Sequence, residues 1–81
     1  MSQPYVGEIR IFAGNFAPAG WAFCDGSLQS ISVNPTLFQL IGTTYGGDGV
    51  NTFALPDLRG KGIVAGLNYY IALQGVFPSR D

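Results

Sequence analysis

A proline directly behind a short apolar run constrains this chain more than any other feature. In Thr52-Phe-Ala-Leu-Pro-Asp-Leu-Arg-Gly60, residues 52–55 have the β-branched, aromatic and aliphatic character of a strand. Pro56 then withdraws a backbone donor and drives Leu55 into an extended conformation, so the strand is expected to stop there. Beyond it, Asp57 and Arg59 flank Leu58; in an extended segment the acid and the base project to one side and the leucine to the other. An Asp placed like this accepts backbone N–H groups of a local turn. The pair is read as structural, because no third polar group stands beside it in sequence to complete a catalytic set.

The core that receives this strand must come from 81 residues, a length at which folding buries only about 60% of the surface the unfolded chain exposes. Domains this small add disulfides, a metal or further subunits. The chain has one cysteine and no histidine, which leaves subunits. Hydrophobic residues make up 47% of it and charged residues 11%, against the ~25% charged usual for a soluble domain. Much of the surface is therefore expected to lie against other subunits. The net charge is −1, and Arg10, Arg59, Lys61 and Arg80 are scattered, so there is no basic face for nucleic acid. No apolar stretch approaches the ~20 residues of a membrane span. Met1-Ser-Gln-Pro lacks the charged and apolar regions of a signal peptide; the chain is expected to be made in the cytoplasm and to reach any outside location by assembly or by a dedicated route.

Taken in order, Glu8-Ile9-Arg10-Ile11 alternates with period 2, which predicts a strand from about Gly7 to Phe12 with Ile9 and Ile11 turned inwards. Ala13 to Gly20 reads as a loop in which Phe16 is the one large side chain able to anchor it. Trp21 to Cys24 forms a second strand, Asp25-Gly26 turns the chain, and Ser27 to Ile31 returns as a third. Asn34-Pro35 starts a helix, with Asn as the cap and Pro at the first helical position. Leu37, Phe38, Leu40 and Ile41 give that helix one broad apolar face, and Gly42 offers a stop, although the helix can run through Thr43 and Thr44. The fold class is α+β: a small, mostly antiparallel sheet with one short helix over about 35–44.

Three stretches invite chemistry and are weighed against plainer roles. Trp21 could stack on a base or sugar; amid Ala and Phe it is better explained by packing in a core or interface. Cys24 has no histidine to serve as its base and reads as a buried structural thiol. Tyr45-Gly-Gly-Asp-Gly49 matches neither a phosphate-cradling loop nor a calcium loop, since Asp48 and Asn51 supply too few ligands, and is taken as a flexible turn. After Gly60, glycines frame the short apolar Ile63-Val64-Ala65. The run Asn68 to Phe77 is then nearly continuous in apolar residues, ended by Pro78, and predicts a strand buried on both faces. One face is expected to meet the chain's own core and the other a neighbouring subunit.

The run Phe38-Gln-Leu-Ile-Gly-Thr-Thr-Tyr-Gly-Gly-Asp-Gly49, followed by Thr52 to Gly60, resembles the phage tail collar domain, a family that includes phage tail-fibre proteins and the bacterial microcystin-dependent proteins. Gly7-Glu-Ile-Arg, Phe12-Ala-Gly and Phe16-Ala-Pro-Ala-Gly-Trp-Ala-Phe-Cys-Asp-Gly26 are similar to that family's opening motif. The resemblance implies a collar-like domain over 1–60. It leaves 61–81 as a short linker and a C-terminal strand completing the same domain or the subunit interface. Longer relatives carry a glycine- and serine-rich region between this motif and an end similar to Tyr70 to Arg80; here Lys61 to Tyr69 stands in its place. The receptor-binding and metal-binding features expected of that region are not carried over.

Together these readings point to a structural, self-assembling protein of a phage-tail-fibre-like particle or extracellular appendage, with no cofactor, catalytic group or metal. Residues 69, 71, 73 and 77 share one strand parity and residues 70, 72 and 76 the other, so apolar groups occupy both. The candidates for holding the structure or its interfaces are Trp21, Asp57, Arg59, Tyr69, Tyr70, Ile71, Leu73 and Phe77. A homo-oligomer is expected, a trimer by resemblance or a higher tube or fibre, in contact with other tail proteins. The alternative is an adhesin module that binds a cell-surface glycan or receptor through Trp21, Tyr45, Tyr69 or Tyr70. An enzyme would need two of Asp25, Asp48 and Asp57 brought together as a carboxylate pair, and nothing in the sequence does so.

Overall fold

In the computed structural model, which describes residues 3–59 and 67–78, the first strand begins later than its alternation suggests. The Glu8 N–H donates to the Tyr5 carbonyl at 3.0 Å and Gly7 sits at φ 84°, as in a turn whose third residue needs a positive φ. The Gly7 N–H donates to the Ala72 carbonyl and the Ala72 N–H to the Glu8 carbonyl, both at 2.9 Å. Two residues thus face one, which is a glycine bulge. A side chain at position 7 would also place its Cβ 2.6 Å from Leu40 Cδ2. Strand β1 therefore spans Ile9–Phe12.

β1 pairs antiparallel with β5 (Asn68–Ala72), whose other edge takes β2 (Trp21–Phe23), in the order β1-β5-β2. The C-terminal strand is thus the centre of this sheet. Opposed residues of antiparallel strands share a face, so Ile9, Ile71 and Ala22 lie on one side with Ile11 and Tyr69, and Arg10, Tyr70 and Phe23 on the other with Phe12 and Trp21. The first face supplies Ile71 to the core formed with Val6, Cys24, Leu37, Phe53 and Leu55. On the second, the Tyr70 ring lies 4.9 Å from Phe12 and 4.8 Å from Phe23 between centroids. Its hydroxyl donates to the Gly14 carbonyl at 2.8 Å, tying the loop after β1 over that face.

Both faces of β5 are consequently covered within one chain: Tyr70 is 0% and Ile71 2% exposed, and Ala72 is buried beside them. This corrects the expectation that one face awaits a neighbouring subunit. The strand also ends at Ala72, short of Phe77. The chain bends through Gly75 at φ 142°, and Val76 rejoins only as a parallel bridge to Tyr5, so the parity count does not reach Val76 and Phe77.

β3 (Leu28–Ser30) and β4 (Thr52–Ala54) make a second, two-stranded sheet. Asp25-Gly26 does turn the chain, with Gly26 at φ 78° and the Ser27 N–H on Asp25 Oδ1 at 3.0 Å. It does not fold β3 back on β2: β2 pairs with β5 and β3 with β4, so the turn hands the chain from one sheet to the other.

Helix α1 (Pro35–Ile41) buries Leu37 completely and lays Phe38 and Ile41 against the core, with Phe38 5.5 Å from Phe53 between ring centroids. Asn34 does not cap it with its side chain, which instead donates to Gln29 Oε1 at 3.2 Å. The helix ends at Gly42, whose φ of 56° unwinds it while its N–H donates to the Phe38 carbonyl at 2.7 Å. Thr43 and Thr44 lie beyond it. No helix among the described residues is long and apolar enough to cross a membrane. The apolar run Ile63-Val64-Ala65, the rest of the expected linker at 61–66, and Arg80 lie outside the described residues.

Candidate assembly surface

Behind β4 the chain is laid against the crossover between β2 and β3. The Leu58 N–H donates to the Cys24 carbonyl at 2.8 Å, the Gly26 N–H to the Pro56 carbonyl at 3.3 Å, and Asp25 and Asp57 form an isolated antiparallel bridge. Asp57 Oδ1 accepts the Arg59 backbone N–H at 3.2 Å and Nε at 2.9 Å, while Oδ2 accepts Nη2 at 2.7 Å. Both side chains are open to water, so the fork fixes the local turn more than it adds stability. Gly26 leaves room for it: a Cβ there would fall 3.2 Å from Asp57 Cβ.

The fold thus brings Asp25 and Asp57 together, which nothing in the sequence foretold. Each carboxylate is engaged locally, Asp25 by the Ser27 N–H and Asp57 by Arg59. A cleft of about 300 Å³ opens beside them, lined by Phe23, Cys24, Asp25, Leu58, Arg59 and Tyr69 among others. Burial first, and then the Asp25 charge, pushes the Cys24 thiol up to about 11. A thiol kept protonated at neutral pH is a poor nucleophile. Asp48 stands in a different loop. Its Oδ1 accepts the N–H groups of Val50, Asn51 and Thr52 at 2.9, 2.8 and 2.9 Å. These bonds, the Thr52 one foremost, hold its carboxyl down at about 2. The glycine-rich turn is organised around one carboxylate.

The other candidates divide by depth. Tyr70 and Ile71 are interior and have no face to offer a ligand or neighbour. Tyr69 and Leu73 are half-buried against the core. Trp21 is half-buried too; the Phe12 ring meets it edge-on at 5.8 Å and the Arg10 guanidinium lies 5.5 Å from its ring centroid. Phe77 is exposed next to Val76, which bridges to Tyr5.

Sequence reasoning missed which apolar side chains stay outside. Phe16, expected to anchor its loop, is 71% exposed; the anchor is the Gly14 carbonyl, which accepts from both Tyr70 Oη and Asn68 Nδ2. Ile9 and Ile11 lie on the expected face but at the rim of the sheet, 41% and 49% exposed, beyond the reach of the core. The low charged content signalled such a surplus without saying where it lies. Among the described residues no group of three or more His, Cys, Asp or Glu side chains is placed to hold a metal ion.

Known proteins share much of this sequence. The family model described as the phage tail collar domain matches residues 7–63, from the bulge before β1 past the Asp57–Arg59 turn. The Short tail fiber protein gp12 of Enterobacteria phage T4 is 43% identical over 56 residues, which is 68% of this chain. That stretch is 10% of the gp12 sequence, so the chain spans about a tenth of the length of the curated relative it matches. The chain belongs to the phage tail collar domain family.

Proposed function

We propose that the protein is a structural, self-assembling module of a phage-tail-fibre-like particle or extracellular appendage, built from collar-domain subunits that join copies of themselves and other tail proteins. The observation that carries this reading is the balance of apolar side chains. Eleven large hydrophobic residues are exposed among the described residues, against nine hydrophobic residues of any size that are buried. Single exposed apolar residues are ordinary; a surplus over the interior in so small a domain is what subunit contacts would cover. At about 25 cal/mol per Å² of apolar area, covering a few hundred Å² per chain contributes several kcal/mol, comparable with the whole stability of a domain this size. A three-fold unit, or a tube or fibre in which a contact that fails to close propagates, is the arrangement the reading favours. Light-scattering mass of the purified chain, beside negative-stain images, tests it: the expected result is a multiple of the chain mass in a regular particle. A folded monomer at micromolar concentration overturns the reading.

A further inference from the structure

We infer that the outer edge of β1 pairs with β1 of a second copy of this chain, antiparallel about a two-fold axis with Ile9 opposite Ile9. The inference rests on the self-assembling reading and names one of its contacts. The Cys24 N–H bonds the Tyr69 carbonyl and the Leu73 N–H bonds the Gly20 carbonyl, whereas Ala72 bonds Gly7 and Glu8. Residues of a central strand direct their ladder bonds to alternate sides, so 69, 71 and 73 serve β2 while 70 and 72 serve β1. Ile9 and Ile11, opposite Ile71 and Tyr69, therefore turn their N–H and C=O groups away from β5. No other described residue takes those groups. With both side chains half exposed, this is an open, apolar edge of the kind that templates pairing with another strand.

Charge selects a second copy as the occupant and also selects the register. Glu8 and Arg10 form an ion pair on one face of the strand. Setting Ile9 opposite Ile11 of the copy would put Arg10 against Arg10. Setting Ile11 opposite Ile11 would put Arg10 against Phe12 and leave Glu8 without a counterpart. With Ile9 opposite Ile9, Glu8 of each chain faces Arg10 of the other, twice about the axis. The two Ile9 side chains then cover each other on the face they share with Ile71. Opposite charges placed across strands favour pairing and like charges oppose it. A two-fold contact requires an even number of chains, either a dimer or two three-fold units joined as six.

The test is a mass measurement by sedimentation on the full chain and its variants. Ile9→Pro removes only an outward N–H, a position at which an edge strand tolerates proline. It is expected to keep the circular-dichroism spectrum and Trp21 fluorescence while halving the mass. Glu8→Arg and Arg10→Glu each break the ion pair within the chain and set like charges across the axis. Each is expected to raise the dissociation constant about tenfold, and an equimolar mixture of the two to return it to within about threefold of the parent, since an all-basic edge then meets an all-acidic one. An Ile9→Pro protein that assembles like the parent, a parent of three chains, or a mixture that shows no recovery overturns this contact and leaves self-assembly standing. A monomeric parent overturns both. If Ile9→Pro fails to fold, the mixture decides.

Discussion

β1 and β5 lie side by side in one sheet and set apolar residues directly opposite one another, yet these residues end in opposite environments. Ile71 is buried and Ile9, directly opposite it, is nearly half exposed. Alternation specifies which face a residue joins and says nothing of how much lies on that face. β5 is central, so the core covers one side and the aromatic layer with the Gly14 loop covers the other. β1 is an edge, so its isoleucines share the core's face but overhang its margin. Apolar residues of one shared face thus make an interior in one strand and an exposed rim in the next.

Truncation at the two opposed positions is the strongest way to break this contrast. Ile71→Ala should cost about 2–5 kcal/mol, the range for emptying a packed aliphatic site. That is a large part of the ~4–12 kcal/mol available to 81 residues. Ile9→Ala should cost about 1 kcal/mol or less, as for a surface position. Thermal unfolding checks both at high dilution. The contrast sharpens with concentration, because the Ile9→Ala deficit should grow as copies associate while the Ile71→Ala deficit stays constant. Equal losses for the two variants at high dilution would abolish the distinction.

A smaller effect is expected from the cover over the second face of β5. Tyr70→Phe keeps the ring among Phe12 and Phe23 and deletes only the hydroxyl bond to the Gly14 carbonyl. That carbonyl still accepts from Asn68 Nδ2 at 3.0 Å, so it is not left without a donor. The loss should be about 0.5–1.5 kcal/mol, seen as a fall in Tm of several degrees for a domain this small. An unchanged Tm would mean that the ring alone covers the face.

Local chemistry was legible in the residues themselves. Pro56 ends β4, Pro35 opens α1 and Leu37 faces inwards, because each depends on neighbours within a turn or two. The fork between Asp57 and Arg59 follows from the same short-range spacing. Strand partners were not legible, because pairing is settled by residues far away in sequence. Nothing within Asn68-Tyr-Tyr-Ile-Ala announces that it will lie between β1 and β2, and nothing in Asp25-Gly26 distinguishes a hairpin from a passage between sheets. The exposure of Ile9, Ile11 and Phe16 was hidden for a related reason, since composition reveals an excess of apolar residues but only the packed fold decides which are left over.

The smallest effect concerns a third region, held neither by burial like β5 nor by an edge ladder like β1. The loop leading into β4 converges on Asp48, whose Oδ1 accepts three backbone N–H bonds and whose carboxyl is thereby held at about 2 against an ordinary 3.8. A carboxyl whose pKa is lowered by folding adds stability above its unfolded value, and that contribution disappears as pH falls through the folded value. The support should therefore be complete near neutrality, begin to fade below about pH 4 and be gone below about pH 2. Asp48→Asn should remove this part of the acid sensitivity, because the amide oxygen accepts the same bonds without a charge to neutralise. Backbone hydrogen exchange at Val50, Asn51 and Thr52 checks it: in the parent these amides should exchange faster, relative to those of Tyr70 and Ala72, as the pH drops from 4 to 2. In the variant the ratio should stay level, and a ratio that is level in the parent as well would mean that the loop is held by its glycine geometry and not by the carboxylate.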